Sequence, residues 1–176
     1  MTEAHARPEL LDAVHRLVGA HGAGGEPLLD PSRSATAMET VGRAAAEAVR
    51  PLRPEVLLTS EDSANAVLAH IVSRELEVPA VPFYVEEGVI EIDAALVRGR
   101  RVVLLLAKGV QPLRLSTMHE FAGTHRAELA GIAEVIGSAG AASEAPVPYV
   151  AVVDRAELAA RGAGAAGGAR DDEPGR

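Results

Sequence analysis

Two periods alternate along this chain, one helical and one of short continuous apolar runs. Leu10, Leu11, Val14, Leu17 and Val18 recur at helical spacing, which predicts an amphipathic helix from Pro8 to about Ala20. Pro8 suits a first helical turn, where its missing N–H has no partner to lose. Four glycines between Gly19 and Gly25 then end the helix. A second helix is predicted to open at Thr36, where Thr36-Ala37-Met38-Glu39 has the form of a capping box. Met38, Val41, Ala45, Ala48 and Val49 supply its inner face, and Pro51 stops it.

From there the pattern changes. Glu55 to Thr59 is a short apolar run behind Pro54, as expected of a strand buried on both faces. Ser60 to Ser63 reads as a polar turn, and Ala64 to Leu76 as a helix with Ala66, Val67, His70, Ile71 and Leu76 inward. Pro79 to Val85 reads as a strand, with Gly88 turning it into Val89 to Ile92 as a hairpin. Val102 to Leu106 is the clearest strand, followed by a helix from about Leu115 to Thr124. Strands over Glu128 to Ile136 and Tyr149 to Val153 complete the series. This alternation predicts an α/β fold, a mostly parallel central sheet flanked by helices. The expected organisation is one domain over 1–161, with a helical part over 1–53 and a core over 54–161. The Gly-, Ala- and acid-rich segment 162–176 reads as a disordered tail.

Composition narrows the function classes. The net charge of −8 repels polyphosphate at long range, and two Phe, two Tyr and no Trp leave little to stack on bases, so no nucleic-acid partner is expected. The absence of cysteine removes disulfides, thiolate nucleophiles and Cys-ligated metals. The longest apolar run, Val102 to Ala107, is too short to span a bilayer, and the first residues lack a secretory pattern. A cytoplasmic protein with no membrane partner is the expectation. Among 17 basic residues, Lys108 is the single lysine.

In an open parallel sheet, ligands bind beyond the carboxyl ends of the strands, near the switch in strand order. Two loops fall there: Thr59 to Asn65, and Ala107 to Arg114. Here the chain resembles the type I phosphoribosyltransferases, with orotate phosphoribosyltransferase the nearest in feel. EVLLTSEDSANAVLAHIVSRELEVPAVPF is similar to that family's strand, pyrophosphate-contacting loop, helix and next strand. ALVRGRRVVLLL is similar to the lead-in and strand that carry its phosphoribosyl-pyrophosphate motif. RAELAGIAEVIGS and VPYVAVVD resemble the strands that follow. The likeness covers roughly Pro54 to Asp154, and it implies a phosphoribosyltransferase-like fold and, as the family is often oligomeric, a homo-oligomer.

The motif itself departs from the family. The resemblance implies two adjacent acids for the ribose hydroxyls and a Thr-Gly-Gly-Thr type turn that cradles the 5′-phosphate. Here Ala107 and Lys108 stand at the acid positions, and Gln111 to Leu115 at the turn. Pro112 removes an N–H donor, and Leu113 and Leu115 put side chains where glycine lets phosphate approach. Glu61 and Asp62 sit in the pyrophosphate loop with the wrong sign unless magnesium lies between. The hood is cut to Glu86 to Gly88 and carries two glutamates.

Candidate ligand-binding residues are therefore Lys108, Gly109, Gln111, Arg114 and Ser116, with Ser60 and Ser63 from the opposite loop, facing a nucleotide or other phosphate-bearing small molecule. Lys108 has three readings: an anion holder, a partner of Glu61 or Asp62, or a solvated loop lysine. Glu61 and Asp62 either hold magnesium, which an active enzyme would need, or cap the following helix. No catalytic residue stands out, because Ser60 and Ser63 lack a His or Lys activator. His119-Glu120 lacks a second His at metal-ligand offset, and His70 reads as a hydrogen-bonded core residue. Gly22, Gly24 and Gly25 follow a helix rather than a strand, the wrong context for a dinucleotide fingerprint. Three functions stay open: a degenerate transferase domain binding a nucleotide-like anion or a protein partner, an active transferase acting on orotate or a purine, and a structural or assembly module.

Overall fold

The computed structural model describes residues 3–21, 27–86, 89–108, 118, 120 and 122–167. Helix α1 (Glu3–Leu17) leads into a two-stranded antiparallel ribbon, β1 (Val18–His21) and β2 (Pro27–Leu29). Helix α2 (Ala35–Val49), strand β3 (Val56–Ser60), helix α3 (Ser63–Leu76) and strand β4 (Ala80–Glu86) follow. Then come β5 (Val89–Glu91), a one-turn α4 (Ala94–Val97), β6 (Arg101–Lys108) and helical residues among 118–124. The chain closes with β7 (Glu128–Gly137), α5 (Ala139–Glu144), β8 (Tyr149–Asp154) and α6 (Arg155–Gly167).

Six strands form the main sheet in the order β5-β4-β3-β6-β7-β8. Every pair is parallel except β4–β5, the hairpin expected around Gly88. The apolar runs are explained by burial on both faces. In β6, Val103, Leu105 and Ala107 join the cluster under α1, α2, α3 and α6, while Val102, Leu104 and Leu106 join Met118, Ala122 and Val97 on the other side. A polar residue at any of these positions would face a dry layer, which is why the strands were legible.

Several local expectations are corrected. Helix α1 starts at Glu3, so Pro8 lies inside it rather than in the first turn. The Gly19 segment is strand, held by pairing of Val18 with Leu29. Helix α2 is capped by Ser34, whose Oγ accepts the Ala37 N–H at 3.2 Å; Thr36 lies one residue inside and takes no part. Helix α3 is rotated from the expected phase. Ala64, Asn65, Leu68, Ala69, Ile71 and Val72 are buried, whereas Ala66, Val67 and His70 are exposed. The reason is Asn65, a polar residue that hydrophobic periodicity places outside but whose hydrogen bonds let it go inside. Helix α6 continues through Gly167, so the first residues of the expected tail are helical; 168–176 lie outside the described residues.

The C-terminal helix is fastened to the first. Arg7 pairs with Glu157 and donates through Nη1 to the Val152 carbonyl at 2.7 Å. Arg161 pairs with Asp12 through two bonds at 2.8 and 2.9 Å, and His15 Nε2 meets the Leu158 carbonyl at 3.0 Å.

Candidate functional site

The strand order reverses between β3 and β6. From β3 the chain moves outward through α3 to β4, then returns to β6 on the other side of β3 and continues to β7 and β8. Loops leaving neighbouring strands in opposite directions open a crevice at their carboxyl ends. The crevice here lies between the Ser60–Ser63 turn and the end of β6 at Ala107 and Lys108.

Asn65 bridges it. This side chain is 1% exposed, in the first turn of α3. Its Oδ1 accepts the Ala107 N–H at 2.7 Å, reaching across to β6. Its Nδ2 donates the other way, to Ser60 Oγ at 2.7 Å and Asp62 Oδ2 at 2.6 Å. Asp62 is the cap of α3: Oδ1 accepts the Asn65 N–H at 2.9 Å, and Oδ2 also accepts from Ser60 Oγ at 3.1 Å. Each group thus satisfies another, so the turn's polarity is directed inward rather than at a ligand.

This geometry sorts the sequence candidates. Ser60, Asp62 and the backbone of Ala107 are brought into one network. Glu61 and Ser63 are exposed on the same turn. Lys108 is the last residue of β6, where its backbone pairs with Ile136. Gly109, Gln111, Arg114 and Ser116 lie outside the described residues, as do Pro112, Leu113, Leu115 and His119.

Magnesium finds a poor seat on this turn. Both Asp62 oxygens are engaged by the helix cap, Ser60 and Asn65, which leaves Glu61 as the one carboxylate free of that network. Among the described residues no group of three His, Cys, Asp or Glu side chains could hold a metal ion.

A second polar cluster lies at the far end of β7, and sequence reasoning missed it. Glu134, in register with Leu106 of β6, is 2% exposed within a strand otherwise built of apolar residues and glycine from Leu129 onward. Tyr149 Oη donates to its Oε2 at 2.6 Å and accepts the Ser138 N–H at 3.3 Å. Burial, then the hydrogen bond to Glu134, push the Tyr149 hydroxyl well above the ordinary phenol range, so it stays a neutral donor. Gly137 makes the approach possible: a Cβ there would lie 2.2 Å from Tyr149 Oη and 2.7 Å from Ala151 Cβ. One charge inside an apolar run was the available signal.

Comparison with solved structures places this architecture. No protein-family model matches the sequence, and no curated protein matches it. A phosphoribosyltransferase from Corynebacterium diphtheriae superposes with a TM-score of 0.69 at 20% identity, over 88% of this chain and 99% of that one. Orotate phosphoribosyltransferase from Mycobacterium tuberculosis H37Rv, in complex with 5-phospho-α-D-ribosyl 1-diphosphate, superposes at 0.66 with 23% identity, over 88% and 99%. Adenine phosphoribosyltransferase from Trypanosoma brucei, in complex with AMP, pyrophosphate and ribose-5-phosphate, gives 0.64 at 13% identity, over 86% and 81%.

Proposed function

We propose, from the premise that this chain has the type I phosphoribosyltransferase fold, that it is a non-transferring domain of that fold which binds a nucleotide-like anion at the carboxyl rim of its sheet. The observation that carries this reading is the Asn65 bridge to the Ala107 N–H. It ties the first turn of α3 to the end of β6, at one of the positions where the resemblance implies an acid.

The remaining chemistry agrees. Ala107 has no group to manage ribose hydroxyls, and Asp62 is committed to its helix. An anion is held instead by Lys108 with Gly109, Gln111, Arg114 and Ser116 from the motif turn, and by the exposed Ser63 hydroxyl opposite, Ser60 being engaged by Asp62 and Asn65. The exposed Glu61 beside them disfavours a full pyrophosphate and favours a single phosphate. No step is routed through magnesium, because the turn does not offer it a carboxylate pair. The protein acts in this reading as a cytoplasmic binding module, and the homo-oligomer is part of the same proposal.

Calorimetric titration tests it, using UMP, AMP and phosphoribosyl pyrophosphate, each with and without magnesium. Binding of a monophosphate that is lost in Lys108→Ala, without turnover of orotate, adenine or hypoxanthine, is the expected result. Formation of a nucleotide from phosphoribosyl pyrophosphate and any of these bases would overturn the non-transferring reading. Absence of monophosphate binding would overturn the anion site.

A further inference from the structure

The β4–β5 edge carries apolar side chains that the core covers partly or hardly at all. Of four large apolar residues exposed among the described residues, three lie here: Tyr84 at 45%, Leu96 at 45% and Val85 at 37%. A groove of about 620 Å³ runs beside Tyr84 and Leu96, lined also by Ile90 and Ile92, by the acids Glu91 and Asp93, and by His125. Clustered apolar exposure of this kind marks an interaction site rather than ordinary surface.

Strand β5 is the terminal strand of the sheet, with no strand on its outer side among the described residues. Its outer backbone groups suit an added strand. The side chains then state what that strand must carry. In Ile90-Glu91-Ile92-Asp93, apolar and acidic residues alternate, and Tyr84 is paired with Glu91 while Val85 is paired with Ile90. An incoming strand therefore runs beside Ile90, which shares one face with Val85, and Glu91, which shares the other with Tyr84. Cross-strand neighbours of this kind favour apolar against apolar and basic against acid.

We propose that this edge binds an extended segment of another protein in which apolar and basic residues alternate, added as a seventh strand beside β5. A second copy of this chain fits less well. Each copy carries a net charge of −8, and pairing β5 with itself would bring Glu91 of both copies to one seam. This inference is independent of the anion site, which lies at the tips of β3 and β6.

The test uses the full chain and two fluorescein-labelled synthetic peptides, Arg-Leu-Arg-Val-Arg-Leu and its counterpart with glutamate for arginine, followed by anisotropy. The basic peptide is expected to bind and the acidic one not to. Leu96→Ser weakens binding by about tenfold or more, in line with the loss of a buried anchor. Glu91→Lys exchanges the preference, so that the acidic peptide becomes the better ligand. UMP titrations of both variants stay unchanged, which separates this site from the rim. No binding of the basic peptide up to about 1 mM, equal binding of both peptides, or indifference to Glu91→Lys would overturn the proposal. So would a concentration-dependent dimer, seen by sedimentation, that Leu96→Ser dissociates.

Discussion

The tips of β3 and β6 and the outer edge of β5 treat their surroundings in opposite ways. At the tips, polar groups that a transferase of this fold would aim at its substrate are turned on one another through Asn65. At the edge, apolar groups that a monomeric domain would bury stand open. The difference shows that one sheet can satisfy polar groups among themselves at its strand tips while leaving apolar groups uncovered along its flank.

Four measurements bear on this contrast. The largest effect is expected at the sealed end of β7. Gly137→Ala would press Tyr149 off Glu134 and leave a buried carboxylate short of a donor, a loss of about 3 kcal/mol in urea denaturation. A change under about 1 kcal/mol would show that this cluster tolerates opening. Next comes the bridge. Asn65→Leu strips the Ala107 N–H of its acceptor and should cost about 2 kcal/mol, with faster amide exchange at Ala107. Unaltered exchange there would mean that the rim is held by something other than Asn65.

Acid gives a smaller effect and acts away from both regions. Hydrogen bonds from Arg161, Arg74 and Arg7 hold the carboxyls of Asp12, Glu39 and Glu157 below their ordinary values. Their contribution is complete above the unfolded carboxylate range and fades as pH falls through the lowered folded values. These pairs are exposed, so screening keeps the gain small, and added salt should shrink the acid-induced drop in melting temperature. A drop unaffected by salt would mean that these exposed pairs do not cause it. The smallest stability change belongs to the edge: Leu96→Ser should move unfolding by less than about 0.5 kcal/mol while removing peptide binding. A large destabilisation would mean that the groove is core and not a docking face.

Much of the fold was legible because the parallel strands are written as unbroken apolar runs. Glu55 to Thr59 and Val102 to Leu106 needed no tertiary knowledge, since only a strand covered on both faces tolerates them. The β1–β2 ribbon was not legible: glycines and a short Val18–His21 segment carry no period, and pairing alone makes them strand. Helix α6 was hidden by its Ala and Gly content; it is seated by Leu158 in the core and oriented by ion pairs to residues about 150 positions away. At the strand tips, the strand order alone directs attention to the segments that follow β3 and β6. The role of Asn65 was not legible, since the N–H that its Oδ1 accepts is on β6, 42 residues later, and nothing local announces that partner.

The fastening of α1 to α6 has a consequence for how the molecule comes into being. Arg7, Asp12 and His15 are made 143 to 150 residues before their partners at 152, 157, 158 and 161. During synthesis α1 can settle on α2, but its grip on α6 waits until that helix has been made. A nascent chain stalled before β8 therefore holds α1 loosely, and chaperones meet that helix for longer than elements whose partners lie close in sequence.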